Sequence, residues 1–272
     1  MYPEILKIGP FAIRSYGLML IISVMLGIYY VYRMSKNTKF DFGTLLSIAY
    51  ILVFGGIIGA RLFYVLFHLE EFQGNWLATI NPFQSDQFGI AGLNLYGGVI
   101  VAVVTSFIYL RVKKLPVLAI FDLFAPTIGI GLMFTRVGCF LNGCCFGTPT
   151  DLPWGVSFPA DSMPFFVFGS AHLHPTQIYS SLYGMFLFLY LHWRLKRKVF
   201  DGQIIGLLFM IEAIFRYIIE FVRYYEEAMH FPFLGMEPTF NHLISIMLFL
   251  LGLILYVSQY NKYKSTRKTA SK

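Results

Sequence analysis

Long stretches of this chain are apolar at nearly every position, with neither the period of two that marks a half-buried strand nor the narrow stripe of a surface helix. Seven runs stand out: Ser15–Tyr32, Thr44–His68, Leu95–Leu110, Val117–Leu141, Pro175–Trp193, Gly202–Val222 and Phe240–Tyr260. Most of them reach the roughly 18 residues that a helix needs to cross the hydrocarbon of a bilayer. A membrane barrel would alternate apolar and polar residues instead. The pattern therefore predicts an all-α, polytopic membrane protein with seven transmembrane helices.

The polar residues between the runs are distributed unevenly. Arg33, Lys36 and Lys39 follow the first run, Arg111, Lys113 and Lys114 the third, and Arg194, Lys196, Arg197 and Lys198 the fifth. Lys262, Lys264, Arg267, Lys268 and Lys272 follow the last. With seven spans all four groups fall on one side, which the positive-inside rule makes the cytoplasm. The N-terminus is then outside, and a basic tail at about 261–272 lies within. The first run lacks a small-residue cleavage site and reads as a retained helix, not a signal peptide. On the outer side, the segment at about 142–174 is too long for a bare connection and reads as a small extracytoplasmic cap. With no repeat or linker, residues 1–272 read as a single integral membrane domain.

Composition agrees: 57% of the residues are hydrophobic and 13% charged, where soluble domains carry about 25% charged residues. The net charge of +7 is accounted for by topology, so no nucleic acid is implied as a partner.

Against this background, ionisable residues inside the runs become site candidates. They are Arg61, Asp122, Arg136, Glu212, Arg216 and Glu220, with Arg14 and Arg223 at the edges. Glu212, Arg216, Glu220 and Arg223 recur at helical spacing along one face. One reading is an ion-pair ladder, Glu212 with Arg216 and Glu220 with Arg223, that fixes helix packing. The other is an anion site in which the planar guanidinium fork binds phosphodiester oxygens and Glu220 holds the guanidinium in place. Arg136 heads the string TRVGCFLNGCCFG, residues 135–147, and shares a helical face with Cys139. Two arginines from different helices at similar depth would clamp the phosphate of a lipid headgroup. Gly55, Gly56 and Gly59 suit close helix packing. Asp122 suits a structural cap or pair, and Trp76, Trp154 and Trp193 suit interface anchors.

Cys139, Cys144 and Cys145 lie within seven residues of one another, on the oxidising side. A CC pair lacks the two-residue spacer of a redox or zinc motif. His172 and His174 could complete a metal site, but no ligand spacing supports one, so neither a metal nor an organic cofactor is expected. Cys139 reads either as a packing residue or as a thiolate favoured by Arg136.

Together these strings resemble the bacterial prolipoprotein diacylglyceryl transferase family over residues 9–258 or so. The family signature GRxGNFxNxExxG aligns with TRVGCFLNGCCFG, keeping Arg136, Gly138, Phe140, Asn142 and Gly147. Similar family segments are IRSYGLM with Tyr16, GARLFYVLF with Arg61, LYGGVI with Gly97 and Gly98, FDLFAP with Asp122, HPTQIY with Gln177, and RYIIEFVR with Arg216, Glu220 and Arg223. The resemblance implies a multi-pass enzyme of the bacterial plasma membrane that moves diacylglyceryl from phosphatidylglycerol, or a related glycerophospholipid, to a prolipoprotein thiol.

It further implies catalytic roles for Arg136, Arg216 and Glu220, and a substrate site of Tyr16, Arg61, Gly97, Gly98, Cys139, Asn142, Cys144, Gln177 and Arg223. Departures fall in this region. Tyr96 stands where a histidine is usual, Cys139 where the signature has asparagine, Cys144 where it has glutamate, and Asn241–His242 where a glycine–glutamine pair is usual. Tyr96 is expected to orient substrate, and His242 to take over the missing histidine's duty as base. Other readings are a paralogue with a different acceptor, Cys139 as a covalent relay, a non-catalytic lipid-binding or transport protein, and a redox carrier built on Cys144 and Cys145.

Overall fold

The computed structural model of the protein describes residues 1–8, 11–79, 83–84, 87–88, 92–225 and 238–270. Lys272 and part of the loop after the second apolar run lie outside the described residues. The rest is predominantly helical. Helices α1 (Ser15–Ser35), α2 (Phe42–Phe67), α3 (Leu95–Val112), α4 (Val117–Asn142), α6 (Thr176–Leu195), α7 (Gln203–Ile219) and α8 (Phe240–Ala270) match the seven apolar runs, and a short α5 (Met163–Phe168) lies between α4 and α6. Two small two-stranded sheets, β1 (Glu4–Ile8) with β2 (Phe11–Arg14) and β3 (Phe83–Gln84) with β4 (Gln87–Phe88), are too short to register in the hydrophobic pattern.

By length and composition, α1, α2, α3, α4 and α8 are the described helices able to cross a membrane. The protein is thus a multi-pass membrane protein. α6 and α7 fall short for different physical reasons, α6 through its polar side chains and α7 through its length. α6 carries Thr176, Gln177 and Ser180 on its buried face. α7 tightens into a 3-10 turn at Glu220–Val222 and so ends after 17 residues. The last helix runs past the expected end at Tyr260 to Ala270, because lysine and arginine are good helix formers and are favoured at a helix C-terminus.

The chain divides into two compact units. One comprises Glu4–Ile13 and Ile28–Val117. Within it α2 and α3 pack through glycines: a Cβ on Gly59 would lie 2.6 Å from the Gly97 carbonyl, and one on Gly98 would lie 2.9 Å from that of Gly56. The expected small-residue face is thus a backbone-to-backbone contact. Asp41 caps α2 through the Thr44 N–H, and Asn94 caps α3 through the Gly97 N–H, both at 3.1 Å.

The other unit comprises Met1–Pro3, Arg14–Gly27 and Leu118–Lys272. α4 meets α6 where Gly129 and Gly184 bring their backbones together, and α7 meets α8 at Gly206 and Gly252. Ala125, Leu187, Leu191, Ile204 and Leu208 fill the core between α4, α6 and α7. At one end of this core sits Asp122, with no exposed surface. Its carboxylate accepts the N–H groups of Gly202 at 2.8 Å and of Ile204 and Ile205 at 2.9 Å, and faces Lys198 Nζ at 3.3 Å. These are the donors that the first turn of a helix leaves unpaired. Asp122 therefore pins the start of α7 to α4, and with it the rotation that aims Arg216 and Glu220.

Removing this carboxylate strands three backbone donors, two of them buried, while Lys198 keeps Asp201 as a partner at 2.8 Å. Asp122→Ala should cost about 3–5 kcal/mol, read as a lower melting temperature of the purified protein in detergent. Lys198→Ala, at a partly exposed position, should change stability by less than about 1 kcal/mol. Equal shifts from the two substitutions would show that the cap is not what holds α7.

Candidate functional site

The C-terminal end of α7 is organised around one buried carboxylate. Glu220 is 4% exposed. Its Oε1 pairs with Arg216 Nε at 3.0 Å and accepts the Tyr225 hydroxyl at 2.9 Å, while Oε2 accepts the Thr239 hydroxyl at 3.3 Å. Arg216 also donates to the Tyr225 oxygen at 3.0 Å, which closes the network. Burial pushes the Tyr225 phenol up to about 12, so it stays a neutral donor. The ion pair is Arg216 with Glu220, not the Glu212–Arg216 and Glu220–Arg223 ladder of the packing alternative. Nor do all four charges share one helical face. The helix ends at Ile219, and Arg223 adopts an extended backbone that forms a β-bridge with Gly147.

That bridge delivers Arg223 to the cysteine segment. After α4 the backbone turns through left-handed positions at Gly143 (φ 77°) and Cys145 (φ 61°). A non-glycine residue there costs about 1–3 kcal/mol and persists only when its surroundings hold it. They do so here. Thr176 Oγ1 donates to the Cys145 carbonyl at 2.7 Å and Gln177 Nε2 to the Cys144 carbonyl at 2.9 Å, both from the start of α6. The segment that follows packs its own small core from Phe146, Phe158 and Leu173. As a result the sulfurs of Cys139, Cys144 and Cys145 all lie within 4.8 Å of one another, and the thiols are free. The Cys139 and Cys144 thiols hydrogen-bond to the Cys145 sulfur, and together with the charges of Arg223 and Arg136 they draw its pKa below the usual thiol value.

Arg136 completes the group from α4. It is half-buried, and its guanidinium makes no hydrogen bond or ion pair among the described residues. It lines a cavity of about 120 Å³ with Phe140, Gln177 and Ser181. Gln177 is 1% exposed, and its Oε1 is buried without a hydrogen-bond partner among the described residues. The charge of Glu212 interacts with those of both Arg216 and Arg136, so guanidiniums from α7 and α4 act on one carboxylate. The Tyr16 hydroxyl faces Arg136 and all three cysteines. α1 comes this near because Gly138 has no side chain: a Cβ there would lie 3.0 Å from Tyr16 Cα. Asn142, exposed at the end of α4, stands beside the Cys144 thiol.

The remaining candidates have other surroundings. Arg61 donates to the Thr79 carbonyl at 2.9 Å and the Gly92 carbonyl at 3.2 Å, which ties the ends of the loop between α2 and α3. Gly97 and Gly98 lie in the α2–α3 contact, and the neighbouring Tyr96 is 46% exposed. His172 and His174 do not join the cysteines: their Nδ1 atoms face the Gly155 carbonyl at 3.1 Å and the Tyr179 hydroxyl at 3.4 Å. His242 is 8% exposed, and its Nδ1 accepts the Thr239 N–H at 3.2 Å.

Thr239 and Tyr225 belong to the site without having been expected there. Thr239 had a signal. Thr-Phe-Asn-His repeats the spacing of a capping box, with histidine in place of the usual glutamate or glutamine reaching back to the N-cap N–H. Tyr225 had none, since it lies just past the helix, where periodicity carries no information.

A family model described as prolipoprotein diacylglyceryl transferase matches residues 3–258. Among similar curated proteins, one from Clostridium tetani is 31% identical over 223 residues, covering 82% of this chain and 86% of the relative. One from Bordetella parapertussis is 32% identical over 270 residues, covering 94% and 96%. One from Finegoldia magna is 31% identical over 253 residues, covering 93% and 92%. All three are named phosphatidylglycerol–prolipoprotein diacylglyceryl transferase.

The cysteine segment should be sensitive to the smallest added side chain at its bridge. A Cβ on Gly147 would meet His174 Cβ, the His174 carbonyl and the Val222 carbonyl, each at 2.6 Å. Gly147→Ala should therefore destabilise the protein by about 1–3 kcal/mol and loosen the thiol cluster. Maleimide labelling of Cys139, 6% exposed in the intact protein, should accelerate. Unchanged labelling and melting would mean that the bridge does not hold the segment.

Proposed function

The chain belongs to the prolipoprotein diacylglyceryl transferase family, and from that premise we propose that it moves a diacylglyceryl group from phosphatidylglycerol to the lipobox cysteine thiol of a prolipoprotein. It is a transferase. The observation that carries the reading is Arg136. A guanidinium in a membrane-spanning helix, lining a cavity and without an ion-pair partner among the described residues, is a site for an external anion.

The reaction needs a bound phosphate, a stabilised leaving group and a thiolate. The acceptor sulfur attacks the glyceryl carbon attached to phosphate. A carbon–sulfur bond forms, the carbon–oxygen bond breaks, and glycerol phosphate departs with the electron pair. Negative charge on the phosphate rises as that bond breaks. Arg216, held in place before the reaction by Glu220, and Arg136, which lines the cavity, stabilise the charge where it develops. Glu220, Tyr225 and Thr239 fix Arg216 in direction, and Gln177 offers a polar group beside Arg136. Tyr16 and Asn142 border the acceptor side. Arg223 borders the same side. Cys139 and Cys144 take the places of the signature asparagine and glutamate.

Thiol deprotonation is the lesser demand, because a free cysteine is already a few per cent thiolate near neutrality. His242 was the expected base. Its acceptor nitrogen, Nδ1, is taken by the Thr239 N–H, so the neutral ring carries its proton on Nε2. We assign it a positioning role, holding Thr239 and through it Glu220. Seven spans, with α6 and α7 crossing among their partners, an external N-terminus and a cytoplasmic basic end of α8 follow from the loop charges. The segment after α4 then forms an extracytoplasmic cap that meets the protein acceptor.

Mass spectrometry of a model prolipoprotein, incubated with the purified protein and phosphatidylglycerol, should reveal a diacylglyceryl mass gain on the lipobox cysteine. Arg136→Lys and Arg216→Lys should each slow transfer by about 10²–10³-fold, as loss of a fixed donor at a developing anion does. Bound lipid with an unmodified thiol would favour the lipid-binding alternative instead.

For His242, asparagine can accept the same Thr239 N–H and should retain most activity, whereas phenylalanine should lose about tenfold, the worth of one hydrogen bond. Were His242 the base, both variants would lose about 10²–10⁴-fold.

A further inference from the structure

The three sulfurs gathered at the end of α4 are not explained by the phosphate clamp. We propose that Cys139, Cys144 and Cys145 hold a zinc ion whose fourth coordination position takes the acceptor thiol and delivers it as a thiolate. This rests on the transferase reading for the identity of the incoming ligand, but not for the metal site itself.

The geometry is close to that of a thiolate site. Tetrahedral zinc with Zn–S bonds of about 2.3 Å sets its sulfurs about 3.8 Å apart, and here all three lie within 4.8 Å of one another. Small side-chain rotations close the difference. The sequence spacing had argued against a metal, because CC has no two-residue spacer. The left-handed backbone at Gly143 and Cys145 supplies what the spacing lacks, turning adjacent residues so that both sulfurs approach Cys139. A bridge between the neighbours is the poorer use of the pair. Adjacent Cα atoms are about 3.8 Å apart across a trans peptide, below the usual disulfide range of about 4.4–6.8 Å.

Ligand count points the same way. Among the described residues no histidine or carboxylate joins the three cysteines, and His172 and His174 are turned to other partners. Structural zinc sites are closed by four protein ligands, whereas catalytic ones keep three and leave a position open. Charge also balances. Zinc with three cysteine thiolates and one acceptor thiolate carries two net negative charges, and two guanidiniums, those of Arg136 and Arg223, act on Cys145. A thiol that coordinates zinc is deprotonated outright. Its proton passes to solvent, the zinc-bound sulfur forms the new carbon–sulfur bond, and glycerol phosphate leaves with the electron pair toward the arginines. No electron is gained or lost by the metal. The site would supply the thiolate in a chain that has Tyr96 where the family has a histidine.

The test begins with metal alone. Protein in lipid nanodiscs, loaded with Zn²⁺ and desalted, should retain about one ion per chain, and Co²⁺ in its place should give thiolate-to-cobalt charge-transfer absorption. Cys144→Ser and Cys145→Ser should each lose most of the retained metal, by more than the roughly 10–100-fold seen when an outer partner of a ligand is removed. Should a serine variant fail to fold, the cobalt spectrum of the unaltered protein decides.

A lipobox peptide should shift that spectrum, and its serine counterpart should not. No retained metal, or a spectrum indifferent to the cysteine peptide, overturns the inference. Transfer at full rate after a chelator has stripped all metal overturns it too, while leaving the transferase reading intact. Metal bound and the spectrum shifted, with no mass gain on the peptide, supports the zinc site and overturns the transferase reading.

Discussion

A guanidinium in a predominantly apolar helix needs an anion, and the local structure around α7 is arranged by that requirement. Arg216 meets it inside the protein. Its partner Glu220 draws one donor from α7, one from the chain just after it and one from the residue that opens α8, so a single carboxylate fixes three segments. Arg136 meets it differently: it lines a cavity, and the carboxylate whose charge reaches it, Glu212, is shared with Arg216. Two arginines in one unit thus have opposite electrostatic situations, one neutralised and rigid, the other available. A site built to bind a phosphate and then stabilise its growing charge needs this division. If both arginines were fully paired, a substrate would have to break an ion pair to enter. If neither were paired, the empty site would carry an uncompensated charge in lipid.

The positions of these arginines are set far from the site. Asp122 caps the first turn of α7 from within α4. A helix advances about 100° per residue, so holding its first turn fixes the direction of every side chain along it. Glycine crossings at Gly129–Gly184 and Gly206–Gly252 then bring α4 to α6 and α7 to α8 at backbone distance. The buried charge at one end and the ion-pair network at the other are coupled by a helix of 17 residues.

Much of this could be read from the chain. Apolar runs located the helices because lipid-facing and core-facing residues are alike apolar, so a span appears as an unbroken run. Asp122 was legible as a structural group, and Arg136, Arg216 and Glu220 stood out as candidates, because a charge inside such a run has few explanations. Periodicity misplaced Arg223, since it assumes that the helix continues, and Glu220 begins a tighter turn that ends it. It also could not foresee that α8 would carry its helix through ten further residues to Ala270, where solvated lysines hold helical geometry without an apolar face. The resemblance places Gly97 and Gly98 in a substrate site, and the group that approaches them among the described residues is α2.

The cysteines mark where sequence spacing and spatial arrangement diverge most. Spacing rules for metal and redox motifs assume that the residues between two ligands build the turn between them. Here the turn is built elsewhere: by Thr176 and Gln177 gripping the Cys144 and Cys145 carbonyls from α6, and by Gly147 pairing with Arg223. A long-range scaffold can impose a left-handed conformation on Cys145 that no local signal announces. The consequence for chemistry is one of charge. At position 144 the family signature has a glutamate, a fixed anion that would compete with phosphate for the nearby guanidiniums. A thiol there is neutral until it meets either a base or a metal, and so makes no such standing claim on the guanidiniums.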